Sequence, residues 1–159
     1  MNCLIIGYGS IGARHASILS ETGHIVHVVS KRDIKDFPCY KSIKAALQSR
    51  DFEYVVISNE TYNHYNSFIE LNGLGYSGKL LIEKPVFSQP CLLPQLGHEN
   101  VFVAYNLRFH PVIQKLHEFL NGKEIYSIQV YVGQYLPDWR PGTDYAKCYS
   151  AFRNQGGGV

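Results

Sequence analysis

The sequence predicts an α/β fold, a doubly wound parallel sheet with helices between its strands, followed by the opening of a second, smaller region. Three observations carry this. Short apolar, partly β-branched runs recur from Cys3 to Ala104, as strands buried on both faces require. Segments of helical periodicity separate them, and strands alternating with helices indicate a parallel sheet. The third is a glycine turn, Gly7-Tyr8-Gly9-Ser10-Ile11-Gly12, which joins the first apolar run directly to a helix. With 159 residues, 45% hydrophobic and 18% charged, the chain is long enough for one domain with a real core and is not of disordered composition.

Taken in order, Cys3-Leu4-Ile5-Ile6 is the first strand and Ala13 to Leu19 reads as the helix after the turn. Ile25 to Val29 is a second strand. Ser42 to Ser49 forms a short helix with Ile43, Ala46 and Leu47 on one face. Tyr54 to Ile57 is a third strand, and a helix from about Tyr62 to Leu71 is closed by Gly73 and Gly75. Lys79 to Ile82 and Val101 to Ala104 complete five strands. Pro111 suits the first turn of a further helix, to which Val112, Leu116, Phe119 and Leu120 give an apolar face. The pattern changes after Gly122. Residues 125–132 (IYSIQVYV) alternate apolar and polar, the mark of a half-buried strand outside the parallel sheet. Gly133 to Val159 lacks helical periodicity and reads as an ordered loop or the start of a second domain. The division expected is therefore 1–122 and 123–159.

The motifs fall where such a sheet binds ligands, beyond the C-terminal ends of its strands. The glycines of G-x-G-x-x-G differ in what they do. Gly7 makes the tight turn, Gly9 admits a pyrophosphate against bare backbone, and Gly12 lets helix and strand pack closely. Unpaired amides at the helix start favour the phosphate charge. The turn's place between strand and helix is the context that gives the motif meaning. At the end of the second strand, Ser30-Lys31-Arg32 stands where an acidic residue would accept hydrogen bonds from the ribose of NAD; Asp33 comes later. A hydroxyl and two cations suit the extra phosphate of NADP, which is the expected cofactor, with NAD as the alternative. Asn59 and Thr61 are expected to border the nicotinamide ribose, with helix capping as a second role for Thr61. Glu83-Lys84-Pro85 ends the fourth strand, and Asn106 and Arg108 follow the fifth.

Other classes are disfavoured. A formal charge of +2, without a basic run longer than Lys31-Arg32, does not make a nucleic-acid surface. No apolar segment approaches the roughly 18 residues of a membrane span, and no signal peptide is expected at the N-terminus. Cys3, Cys39, Cys91 and Cys148 form no C-x-x-C pair, and the histidines show no metal-ligand spacing. A cytoplasmic protein without metal is expected.

Residues 7–15 (GYGSIGARH), Glu83-Lys84-Pro85 and Asn106-Leu107-Arg108-Phe109-His110-Pro111 resemble the glucose–fructose oxidoreductase/inositol dehydrogenase/MocA family. Leu136-Pro137-Asp138-Trp139-Arg140-Pro141, Tyr145 and Gly156-Gly157-Gly158 are similar to its branch acting on sugars or sugar-derived acids. The resemblance implies a Rossmann-like dinucleotide domain followed by an α+β domain bearing the substrate site and often the oligomer contact, which the strand at 125–132 would begin. It implies hydride transfer between a nicotinamide cofactor and a hydroxyl-bearing carbon of a sugar-like substrate. Oxidising an alcohol needs a group that takes the hydroxyl proton, and Lys84 is the candidate. Glu83 would orient Lys84 or face the cofactor. Asn106, Arg108, Trp139, Arg140 and Tyr145 are candidates for holding sugar hydroxyls or a carboxylate. In the family the triple glycine leads into a helix carrying an aspartate and, four residues on, a histidine. The sequence stops at Val159, so a shortened enzyme is expected, or alternatively a non-catalytic dinucleotide-binding module.

Overall fold

The structure, a computed structural model, describes residues 1–90, 100–139, 142, 144–148, 151–155 and 157. Two compact units emerge, Met1–Ala104 with Tyr149–Val159, and Tyr105–Cys148.

The first unit is built on six parallel strands: β1 (Asn2–Ile6), β2 (Ile25–Val29), β3 (Cys39–Tyr40), β4 (Tyr54–Ile57), β5 (Lys79–Ile82) and β6 (Val101–Val103). Their spatial order is β3-β2-β1-β4-β5-β6, so the winding reverses between β1 and β4. That reversal opens the crevice in which doubly wound sheets bind ligands. The expected five strands are present, and β3 is an addition. It has only two residues, too few for a periodicity, and exists because Val28 and Val29 pair with Cys39 and Tyr40.

Alternation along β1 supplies both faces of the core. Leu4 and Ile6 pack with Ile43, Ala46, Phe68 and Leu71 of α2 (Ile43–Ser49) and α3 (Thr61–Gly73). Ile5 packs on the other side with Ala16 of α1 (Ser10–Glu21), Val28 and Val56. Ser42 caps α2 by accepting the Ala45 N–H at 3.1 Å. Near the C-terminus, Arg153–Gln155 forms a 3-10 turn against α3.

One buried group is out of keeping with this core. His27, in the middle of β2, is 3% exposed, and neither ring nitrogen has a hydrogen-bond partner. Its ring stacks on Tyr40 at 5.8 Å and meets Phe52 edge-on at 5.4 Å. Burial, with the Arg50 charge adding to it, pushes its pKa below the ordinary 6.5. The unfolded chain therefore binds this proton more readily than the native one, and stability falls as pH drops. The full native stability is expected above about pH 6.5 and is lost below it, by up to about 1.4 kcal/mol per pH unit, until the native ring itself protonates. Urea unfolding between pH 7.5 and 5 of wild type and His27→Phe checks this. The difference between the two isolates His27 from the other histidines, and parallel pH profiles would refute it.

The second unit holds a 3-10 turn (Asn106–Phe109), α4 (Pro111–Leu120) and α5 (Leu136–Trp139). Pro111 occupies the first turn of α4, and His110 caps it by accepting the Val112 N–H at 3.3 Å. The apolar residues of α4 are not buried: Val112, Leu116 and Phe119 are exposed. Lys123 lies 3.3 Å over the Phe119 ring. Residues 125–132 correct the sequence reading in one respect. They pair with no strand among the described residues, and Tyr126, Ile128, Val130 and Val132 are exposed rather than half-buried. Alternation states which face a strand would bury, but only a neighbouring strand makes one. The short helix α5 interrupts what was expected to be loop.

Candidate functional site

Strand ends of the first unit bring Gly7–Gly12, Ser30–Arg32, Asn59–Thr61 and Glu83–Lys84 to one edge of the sheet. The three glycines behave differently. Gly7 has φ +93°, and a Cβ there would stand 2.4 Å from the Asn59 Cα. A Cβ on Gly12 would come within 2.0 Å of the Gly7 carbonyl oxygen and 2.8 Å of the Ser58 Oγ. These two permit the turn to exist. A Cβ on Gly9 would meet nothing within 4 Å, so the space over the helix start is open. Helix α1 has no side-chain cap and no acidic residue in its first turn. Its first amides, including those of Ser10 and Ile11, are left for an anion. Ser58, which sequence reading passed over, ties the switch point together: its hydroxyl lies 3.0 Å from the Gly7 carbonyl and 3.3 Å from that of Ile6.

The segment after β2 folds back towards this turn. The Arg32 guanidinium donates to the Tyr8 carbonyl, and the Tyr8 ring meets Phe37 edge-on at 6.2 Å. Ser30 is buried, its hydroxyl accepting the Arg32 N–H at 3.1 Å. Lys31 and Arg32 are exposed.

Beyond β4, Asn59 donates from Nδ2 to Ser67 Oγ at 2.8 Å, while its Oδ1 is buried without a partner. A buried acceptor left free beside a glycine turn is a place for a ligand hydroxyl or amide. Thr61 is the first residue of α3 and 3% exposed, with Glu60 in the cap position. His64 is buried, and its ring bridges two segments. Nε2 is 3.0 Å from the Asn59 carbonyl, and Nδ1 is 3.1 Å from those of both Pro85 and Val86.

At the end of β5 the Lys84–Pro85 peptide is cis and Lys84 is exposed. Glu83 turns towards α1, where His15 Nε2 donates to its Oε1 at 2.8 Å; the Lys84 N–H donates to Oε2 at 3.2 Å. Burial alone would raise the Glu83 pKa. The hydrogen bonds from His15 and the Lys84 amide, with the charges of those residues, outweigh it and hold the carboxyl below its usual value. Glu83 is therefore an anchored carboxylate that fixes the backbone of Lys84. His15 was missed as a site residue. The signal was available, since it follows Gly12 by three positions and shares the inward face of α1 with buried Gly12 and Ala16.

The remaining candidates lie in the second unit. Asn106 and Arg108 share one exposed 3-10 turn, with the Arg108 guanidinium 5.6 Å from the Phe109 ring centre. Tyr145 is exposed, and its carbonyl accepts from the Cys148 thiol at 3.0 Å. Trp139 ends α5, while Arg140 lies outside the described residues. Cys3 and Cys39 are free thiols, and Cys91 lies outside the described residues. No group of three or more His, Cys, Asp or Glu among the described residues is placed to hold a metal. No described helix is long and apolar enough to cross a membrane. A cavity of about 500 Å³ opens at the opposite edge of the sheet, by Phe52, Glu53, Tyr76, Lys79 and Asn100, away from every motif above.

A sheet of this strand order, with a glycine turn at its switch point and an open space over the helix start, defines a dinucleotide-binding Rossmann domain. The chain belongs to the Gfo/Idh/MocA family, the oxidoreductase family with an NAD-binding Rossmann fold, whose model matches residues 1–96. No curated protein sequence matches significantly. Solved structures share the fold. Myo-inositol dehydrogenase from Lactobacillus casei, in complex with NAD(H) and myo-inositol, is 19% identical with a TM-score of 0.61, over 76% of this chain and 41% of its own. The WlbA dehydrogenase from Thermus thermophilus, in complex with NAD and UDP-GlcNAcA, is 20% identical with a TM-score of 0.57, over 76% and 46%. UDP-N-acetylglucosamine 3-dehydrogenase GnnA from Acidithiobacillus ferrooxidans is 19% identical with a TM-score of 0.56, over 75% and 41%. This chain thus spans less than half the length of each of these structures.

Proposed function

We propose that this chain is the cofactor-binding part of an NADP-preferring oxidoreductase acting on a hydroxyl carbon of a sugar or sugar-derived substrate. The observation that carries the reading is the edge where the open Gly9 turn, the unpartnered Asn59 Oδ1 and the exposed cations Lys31 and Arg32 lie beyond neighbouring strands. The residues fit a dinucleotide: Gly9 and the first amides of α1 would hold the pyrophosphate, with Asn59 and Glu83-Lys84 towards the nicotinamide. When bound, the nicotinamide supplies the hydride acceptor or donor. The protein's part is to hold the proton. Lys84, its backbone fixed by the Glu83–His15 pair, exchanges a proton with the substrate hydroxyl oxygen. Asn106 and Arg108, with Trp139, Arg140 and Tyr145, contribute to the sugar site, and the region at 123–159 begins a substrate and oligomer domain. Residues 125–132, with their exposed apolar side chains, support a homo-oligomer contact there. The free thiols of Cys3 and Cys39 suit the cytoplasm.

Titration of the purified chain with NADPH and separately with NADH, followed by nicotinamide fluorescence, tests this. Binding of NADPH at least tenfold tighter than NADH is expected. Equal or tighter NADH binding would discard the phosphate preference and retain the dinucleotide site. Binding without turnover on any sugar or sugar acid would favour a non-catalytic dinucleotide-binding module.

A further inference from the structure

Beside Lys31, Arg32 and Lys35, the loop after β2 gains a further cation that its own sequence does not show. Lys41 follows β3, and β3 exists only because Val28 and Val29 pair with Cys39 and Tyr40. That pairing brings Lys41 back to the end of β2. Its ammonium lies 3.1 Å from the Arg32 carbonyl and 3.4 Å from that of Lys31. An ammonium has three donors, so two carbonyls leave one for another acceptor. Lys31, Arg32 and Lys41 are all exposed, and the Arg32 guanidinium is drawn to the Tyr8 carbonyl. Cations thus line the loop on both sides, with Asp33, Lys35 and Asp36 further along it. We propose that Lys41 is a specificity-determining residue, a ligand for the phosphate monoester on the adenosine ribose that separates NADP from NAD. It donates the hydrogen bond and the charge from the β3 side, while Lys31 and Arg32 act from the β2 side.

This inference rests on the NADP reading above, and the test separates the two. Wild type, Lys41→Met and Lys41→Arg are titrated with NADPH, with NADH, and with adenosine 2′,5′-bisphosphate against 5′-AMP, a pair without nicotinamide. Loss of one charge-assisted hydrogen bond in Lys41→Met is expected to weaken NADPH and the bisphosphate about tenfold or more, leaving NADH and 5′-AMP within twofold. Lys41→Arg is expected to keep the preference, and raising salt to weaken NADPH binding more steeply in wild type than in Lys41→Met. Equal weakening of all four ligands would reduce Lys41 to a support of the loop and overturn the proposal. A wild-type preference for NADPH that Lys41→Met leaves intact would overturn it too, with the NADP reading standing. If wild type itself shows no preference for the 2′-phosphate, both fall.

Discussion

Substituting the three glycines of the turn one at a time by alanine is expected to separate folding from binding. Gly7→Ala places a side chain at φ +93° and a Cβ 2.4 Å from the Asn59 backbone, which has no slack because β4 is paired on both sides. Strain of about 1–3 kcal/mol and overpacking of similar size make a loss of about 3 kcal/mol or more the expected result. In Gly12→Ala a gain of about 1 kcal/mol in helix propensity is set against a 2.0 Å approach to the Gly7 carbonyl. The backbone contact wins, because neither α1 nor β1 can withdraw without breaking its packing. Gly9→Ala is the opposite case. Its φ of −81° suits alanine and its Cβ meets nothing, so stability is expected to change by no more than about 1 kcal/mol, the range of a cap substitution. Its dinucleotide affinity is nevertheless expected to fall at least tenfold, because the methyl group fills the space that a pyrophosphate needs. Urea unfolding and NADPH titration of the three variants give the comparison. A Gly9→Ala protein that binds like wild type would show that phosphate does not approach there.

The sequence carries the sheet because β1, β4 and β5 are continuous apolar runs, and a parallel strand buried on both faces must be written that way. What it did not carry is of a different physical kind. The strand at Cys39–Tyr40 is created by its partner, and no window of two residues has a period. The exposed stretch at 125–132 is the reverse case, a period without a partner. Helix ends shifted by a few residues, α1 beginning at Ser10 rather than Ala13, because the turn glycines themselves lead into the helix.

The site was legible in its separate motifs and illegible in its couplings. The glycine turn, Ser30–Arg32 and Glu83-Lys84-Pro85 each stand out locally. Distances across the chain made the rest: His15 to Glu83, Ser58 to Gly7, Lys41 to Arg32, His64 to Pro85. Each joins residues that only the strand order makes neighbours. His64 had a local trace, however, because it shares the buried stripe of α3 with Thr61, Phe68 and Leu71. A histidine in such a stripe has to find acceptors or remain unsatisfied.

Replacing His64 by alanine is expected to be among the most destabilising changes in this unit that leave its glycines alone. The ring is 1% exposed, and its two nitrogens face three carbonyl oxygens at 3.0–3.1 Å. Removing it opens a cavity and leaves the carbonyl that its N–H serves short of a donor. Together these are expected to lower stability by about 2–4 kcal/mol. Leucine and glutamine divide the loss. His64→Leu refills the volume without a donor and is expected to recover only part of it. His64→Gln keeps an N–H donor for one of the two segments and is expected to recover more. The segments joined are those carrying Asn59 and Lys84, so NADPH affinity is expected to follow the same order, His64→Ala weakest. Urea unfolding and cofactor titration of the three variants decide the point. If His64→Leu equalled wild type in both, the ring would only fill space, and the two flanks of the crevice would have to be held together by the sheet alone.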